Sequence, residues 1–359
     1  MRTISTALRF LIGGGMLLSS QHPLRAVTLL TFEGFPDSTV LTNQYPGETF
    51  GNAIILTAGI TLNEFEFPPH SGVNVASDNG GPMTISFTSP IQSFSGYFTY
   101  SEPLTVRAFN AANTQVAAAT SQFSDNEALS GIAGSNPNEL IQVTSAGGIA
   151  SITIAGDPAG ESFALDDATI TGLAGPPATS LPPTLPLVSI DLVLVGIWVF
   201  VARRKQGVTM QQTALALLIL LPLGFVALRL YAGSQTSLIR QGDSSAAKLI
   251  GGLSATPATI RAGAPTRVLV TAHINHPALI SNSVNLIRIN PGGSPTIIGH
   301  LRDDETDGDT TARDRVYSGQ IDFNESTARQ IQVQVSVAIR GRMRRVASEP
   351  FIVVVGASH

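Results

Sequence analysis

The chain has 359 residues with a formal net charge of −4, and only 13% of them are charged. That length accommodates two ordinary domains. With no cysteine, disulfide frameworks, thiolate metal sites and cysteine nucleophiles are excluded, and the slight acidity offers no basic field for nucleic acid.

Residues 1–26 place Arg2 and Arg9 around the start of a short apolar run, Phe10 to Leu18, and reach Ala26 just before a strand-like segment. This is the layout of a secretory signal peptide, too short to span a bilayer as a mature helix. Export of the chain beyond Ala26 is expected.

From 27 to 173 the chain alternates short apolar runs with Gly, Pro, Asn and Asp: Val27–Phe32, Asn52–Leu56, Thr84–Phe87, Phe94–Tyr100, Leu104–Phe109, Ile149–Ala155 and Phe163–Ile170. The period of two in Phe94–Tyr100 suits a half-buried strand, and many such strands predict one antiparallel, jelly-roll-like β-sandwich. Glu33, Asp78 and Asp167, the last beside Asp166, are candidate calcium ligands if terminal strands lie together. Against this, Asp78 serves to shape a turn and Asp166 and Asp167 to solvate a face. Tyr45, Tyr97, Tyr100, Phe65 and Phe67 offer a sugar-stacking platform or core packing, and alternation favours the core.

A Pro-rich linker, 174–184, leads to two apolar stretches, 185–202 and 213–231, that flank a basic loop at 203–212 carrying Arg203, Arg204 and Lys205. A bilayer core about 30 Å thick takes about 20 apolar residues as a helix, so the pair predicts a two-helix transmembrane hairpin. The positive-inside rule puts its basic loop in the cytoplasm and both flanking domains outside. Asp191 is expected near the outer end of the first span, and Pro222 to kink the second.

After a linker, 232–253, strand-like runs recur at Thr266–Asn275, Ser283–Asn290, Thr296–Leu301, Tyr317–Phe323, Gln330–Arg340 and Val346–Val355. They predict an immunoglobulin-like β-sandwich over 254–356 that lacks the Cys-Trp-Cys core of antibodies. Between two of these runs, acidic residues recur at every second position around Gly308. Asp303, Glu305, Asp307, Asp309 and Asp314 fit the offsets of a calcium loop, with Glu305 at an Asp or Asn position, Asp314 where a bidentate Glu is usual, and no flanking helices. A solvated acidic loop is the competing reading, and any calcium here is expected to be structural.

Three groups of residues carry resemblances. Thr31-Phe32-Glu33-Gly34-Phe35, Asn43-Gln44-Tyr45, Phe65 to Gly72, Gly96 to Tyr100 and Phe163 to Asp167 resemble exported bacterial β-sandwich domains of PEP-CTERM sorted proteins, across most of 27–173. The Pro-rich stretch, the apolar run and Ala202-Arg203-Arg204-Lys205 resemble that family's sorting signal. Here Pro182-Pro183-Thr184 lacks the central Glu, and the chain continues where that signal ends. The segment from Asp303 to Ser318 is similar to a loop of exported bacterial immunoglobulin-like domains, with Arg313 and Arg315 at the usual glycine positions and in place to neutralise the carboxylates.

The chain holds no HExxH, phosphate loop, dinucleotide fingerprint or serine elbow, and its six histidines are scattered. His273 and His276 fall in a strand and turn that would point them apart, so no zinc pair is expected. The reading is a non-catalytic, membrane-anchored protein of the bacterial cell envelope that displays two β-sandwiches outside the cytoplasm. Its expected roles are adhesion, extracellular matrix contact or glycan binding, with membrane lipid and a glycan or matrix polymer as partners. Alternatives are a passive spacer, a fusion of two exported proteins with Met210 opening a second signal-like segment, and a hydrolase whose site is assembled from distant residues.

Overall fold

The structure, a computed structural model, describes residues 26–173, 249–293 and 295–357. Its regular structure is strand, apart from a 3-10 turn at Ser281–Ser283. The mainly β expectation stands, but the two-helix transmembrane hairpin does not. Residues 185–231 lie outside the described residues, and among those described no helix is long and apolar enough to cross a membrane. Apolar length and the basic loop between the stretches are the grounds for that hairpin, whereas the regular structure of the described residues is almost entirely strand. The expected signal peptide and Pro-rich linker also lie outside the described residues.

The first half contains β1 (Val27–Leu30), β2 (Val40–Leu41), β3 (Glu48–Gly51), β4 (Ala53–Thr57), β5 (Asn74–Asp78), β6 (Met83–Tyr100), β7 (Thr105–Phe109), β8 (Gln115–Thr120), β9 (Glu139–Ala155) and β10 (Phe163–Gly172). They form one 10-stranded sheet in the order β2-β4-β5-β10-β6-β9-β7-β8, with β1 on β10 and β3 on β6. The runs Thr84–Phe87 and Phe94–Tyr100 are the two ends of one long strand, β6. Its register against β9 slips between Ser86 and Ser93, around Pro90, which has no N–H to give the ladder. Opposite, Gly148 has φ +89°, and a Cβ there would sit 3.1 Å from the Pro90 ring, so a glycine suits this irregular crossing. The sheet thereby wraps a single core in which Leu30, Phe32, Phe94, Phe98, Tyr100 and Phe163 are fully buried.

The second half contains β11 (Ile250–Thr256), β12 (Thr259–Arg261), β13 (Thr266–Ile274), β14 (Asn285–Ile289), β15 (Pro295–His300), β16 (Val316–Phe323), β17 (Arg329–Val337), β18 (Val346–Ala347) and β19 (Phe351–Gly356). A 3-stranded sheet, β11-β13-β16, faces a 6-stranded one, β12-β19-β17-β14-β15 with β18 on β17. Strand β17 alternates cleanly: Ile331, Val333, Val335 and Val337 enter the core that the two sheets share, while Gln330 and Gln332 are exposed. The sandwich starts at Ile250, a few residues before the expected boundary at 254.

The halves are not separate beads. Strand β4 reads Ala-Ile-Ile-Leu and is buried on both faces: Ala53 and Ile55 belong to the main core, Ile54 and Leu56 to a second cluster with Leu62, Phe67, Val75 and Ala164. The final member of that second cluster is Met343, from the other half, 4% exposed. Around it, the loop 57–67 and the turn 339–345 pair like two strands. Asn63 N donates to Met343 O and Arg345 N to Thr61 O, both at 2.8 Å, bracketing an antiparallel bridge between Leu62 and Arg344. Arg345, its side chain wholly buried, donates from Nη1 to both carboxylate oxygens of Glu64, at 2.9 and 3.1 Å. Gly59, at φ +75°, lets its carbonyl accept from Asn285 Nδ2 at 2.8 Å, and a Cβ there would lie 2.7 Å from Ile297 Cδ1.

Candidate functional site

Three places gather chemically useful groups. The first is a cleft of about 360 Å³ at the junction of the halves. Phe35, Ile60 and Val73 wall it from the first half and Pro295 from the second, while Glu33 and Asp37 supply carboxylates. Glu33 is held there by the β1–β2 connection, where its Oε1 accepts Val73 N and Asn74 N, each at 2.8 Å. That approach needs Gly72: a Cβ at this position would lie 2.2 Å from Glu33 Oε1. Asp37 accepts Thr57 N at 2.9 Å, and burial pushes its carboxyl above the usual range. Asn74 Nδ2 donates to Phe32 O and Phe35 O, which pins the turn carrying Glu33.

The second lies at a bulge in β10. Between Asp166 and Thr169 the register against β6 shifts, and Asp167 takes φ +45°, so two consecutive carboxylates face the loop 68–72. Asp167 Oδ2 meets His70 Nδ1 at 2.7 Å and its Oδ1 accepts Ser71 Oγ at 3.0 Å. Asp166, buried, accepts Ser71 N at 2.8 Å and Asp167 N at 2.7 Å, yet burial still raises its carboxyl to about 6. The His70 ring stacks on Tyr97 with centroids 3.5 Å apart. Ser71 and His70 thus share Asp167 as acceptor, which is not the Ser-to-His relay of nucleophilic catalysis.

Asp78 sits apart from both. It is fully buried at the end of β5, accepting Ser162 N and Ser162 Oγ at 2.9 Å and Phe163 N at 3.2 Å. Of the calcium candidates in the first half, Glu33 therefore binds the β5 entrance, Asp78 the β10 entrance and Asp167 the loop at His70. They do not converge as a group. Nor is Asp166 on a solvated face.

The third is the acidic loop before β16. Among the described residues, Asp303, Asp309 and Asp314 alone form a group of at least three potential ligands whose atoms lie within 4.8 Å of one another. Asp303 accepts Asp314 N and Arg315 N at 3.1 and 3.0 Å, and buried Asp309 accepts Glu305 N at 2.7 Å. Glu305 and Asp307, at φ 62° and 52°, are exposed, and Asp307 faces Arg302 at 3.4 Å. Of the five expected ligands, three thus lie together. Neutralisation by Arg315 also needs correcting, since its guanidinium reaches Asn275 at 2.8 Å while Arg302 serves Asp304 and Asp307. Three carboxylates with hard oxygens fit a divalent cation such as calcium, which would need further oxygens from backbone or water to reach six or more ligands.

Of the five aromatics for which core packing is the favoured expectation, Phe67 and Tyr100 are core residues. Half-buried Tyr45 packs edge-on against Phe32 and Phe35, and its hydroxyl accepts Phe32 N at 3.0 Å. A further group that the sequence does not advertise is Glu127. Burial and the nearby Glu66 and Asp125 push it up to about 8, and its Oε1 is buried without a hydrogen-bond partner.

No family model matches this chain, and no curated protein does. Among solved structures, the chain is similar to a DUF4785 family protein from Legionella pneumophila subsp. pneumophila str. Philadelphia 1, at 9% identity and a TM-score of 0.21, over 100% of this chain and 71% of that one. A score that low carries no argument about fold or function.

Proposed function

We propose that the chain is a non-catalytic protein of the bacterial envelope whose two β-halves act as one recognition body for an extracellular glycan or matrix polymer. The junction cleft carries this reading. It combines apolar walls from Phe35, Val73 and Pro295 with the Glu33 carboxylate, and a sugar ring offers the matching pair of an apolar C–H face and hydroxyl donors. Clefts between packed units are favoured places for ligands. The signal-like residues 1–26 support export, and a shared core requires one compartment for both halves. The bonding of Ser71 and His70 to a common carboxylate supports binding over nucleophilic chemistry. A structural calcium at Asp303, Asp309 and Asp314 belongs to this reading.

The test is a glycan and matrix-polymer array probed with the exported chain and with Val73→Glu. Val73 is half-exposed in the cleft, so the substitution adds charge without opening the core. Binding by the wild type that Val73→Glu abolishes is expected. A wild type that stays silent on every polymer would replace this reading with a passive spacer.

A further inference from the structure

The junction has the build of a stable association surface rather than of two domains held near each other by a tether. Its centre is apolar and closed: Leu56 and Leu62 are 0% exposed, Phe67 1% and Met343 4%. The centre is ringed by polar contacts that cross between halves. Gly341 N donates to Glu66 Oε2 at 2.8 Å, Ser336 Oγ to Ile60 O at 3.0 Å, and Asn63 Nδ2 to Arg342 O at 2.9 Å. Arg344 meets Glu161 at 2.8 Å at the edge. An apolar centre and a polar rim, here with backbone hydrogen bonds around a single β-bridge, are the features of durable protein–protein interfaces. Arg345 adds specificity, because burying its guanidinium is costly unless Glu64, from the other half, faces it. If the halves separated, the cluster of Leu56, Leu62, Phe67 and Val75 would lose Met343, the residue that completes it from the other half.

We infer that this surface, and not the polypeptide joining residues 173 and 249, holds the halves together, so that a chain cut in that connection persists as a two-piece complex. The first half is then a socket whose fitted partner is an apolar-basic turn of the form found at Arg342-Met343-Arg344-Arg345. Proteolytic processing between the halves would leave the second half docked. The inference does not depend on glycan binding.

The experiment uses the full chain with a specific protease site inserted at each end of 174–248, so that the excised stretch cannot bridge the products. After native cleavage and size-exclusion chromatography at micromolar concentration, the two pieces are expected to elute together and to part only in denaturant. Separate elution of two folded pieces would overturn the inference. Met343→Asp places a carboxylate in the socket and is expected to weaken the association of the cut pieces about a hundredfold or more, so that they elute apart. Circular dichroism of the separated Met343→Asp pieces checks that each is folded. If folded Met343→Asp pieces still co-elute, the association does not run through this socket and the assignment fails. An array that is silent for glycans would leave co-elution unaffected, which keeps the two proposals separable.

Discussion

Strands β4 and β17 lie in different halves and answer to different surroundings. Strand β17 alternates polar and apolar side chains because one face meets its sandwich core while the other meets water at Gln330 and Gln332 and, at buried Ser336, a polar contact to Ile60 of the first half. Strand β4 has no polar face: Ala53 and Ile55 fill one core while Ile54 and Leu56 fill another, closed by Met343 from the other half of the chain. An apolar second face in an otherwise alternating β-protein therefore marks a strand that packs into two hydrophobic clusters. The two halves, each with its own core, are joined by a third cluster that the first half builds and Met343 of the second half completes.

Substitutions at the junction should separate the behaviour of the halves most strongly. Arg345→Ala leaves Glu64 facing a cavity and two backbone carbonyls, Ser283 O and Ser336 O, without their donor. A loss of about 3–5 kcal/mol in denaturant unfolding is expected, as for breaking other buried pairs. An unchanged midpoint would show that the junction adds nothing to stability. Gly59→Ala forces a side chain into φ +75° against Ile297 and Asn285, and should cost about 1–3 kcal/mol through the same junction. The corresponding change at Gly263, also at positive φ but with open space around it, is expected to cost less.

A pH series tests the buried carboxyls of the first half against the exposed acids of the second. Glu127 has its folded pKa raised to about 8 from an ordinary 4.5, so the folded state holds a proton that the unfolded state releases. Its contribution to stability is therefore lost as pH rises from about 4.5 to 8. Asp166 acts in the same direction, up to about 6. Glu127→Gln should remove this share of the decline between about pH 4.5 and 8, giving a Tm several degrees above wild type at pH 8 and little difference at pH 5. Parallel pH profiles of wild type and variant would refute this assignment. The smallest effect expected is that of calcium at the acidic loop: millimolar calcium should raise Tm slightly, and Asp309→Asn should abolish the rise. Calorimetric silence on titration with calcium would reject the site.

Much of the architecture is legible in residue order because it depends on local pattern. The run Gln330–Val337 announces its strand and its buried face, and turns rich in Gly, Asn and Asp divide most of the others correctly. Short or unpatterned strands such as β2, β3 and β12 escape, since their pairing is decided by neighbours distant in the chain. The acidic loop is legible as a cluster, yet its membership is not. Positive φ at Glu305 and Asp307 places these residues in a turn that leaves them exposed, and backbone amides hold Asp303 and Asp309 inward. His70 and Asp167, 97 positions apart, carry no local signal of their pairing. Apolar length, the main ground for a membrane hairpin beside its basic loop, reports hydrophobicity without saying what covers it.

By itself the sequence determines a chain of strands without cysteine chemistry, because period-two patterning and composition act residue by residue. Only the tertiary structure decides that the two halves share a core, which carboxylates meet, and where the cleft lies. Those outcomes depend on contacts such as Leu62 with Met343 and Glu64 with Arg345, whose free energies exist only once both halves are folded and in place.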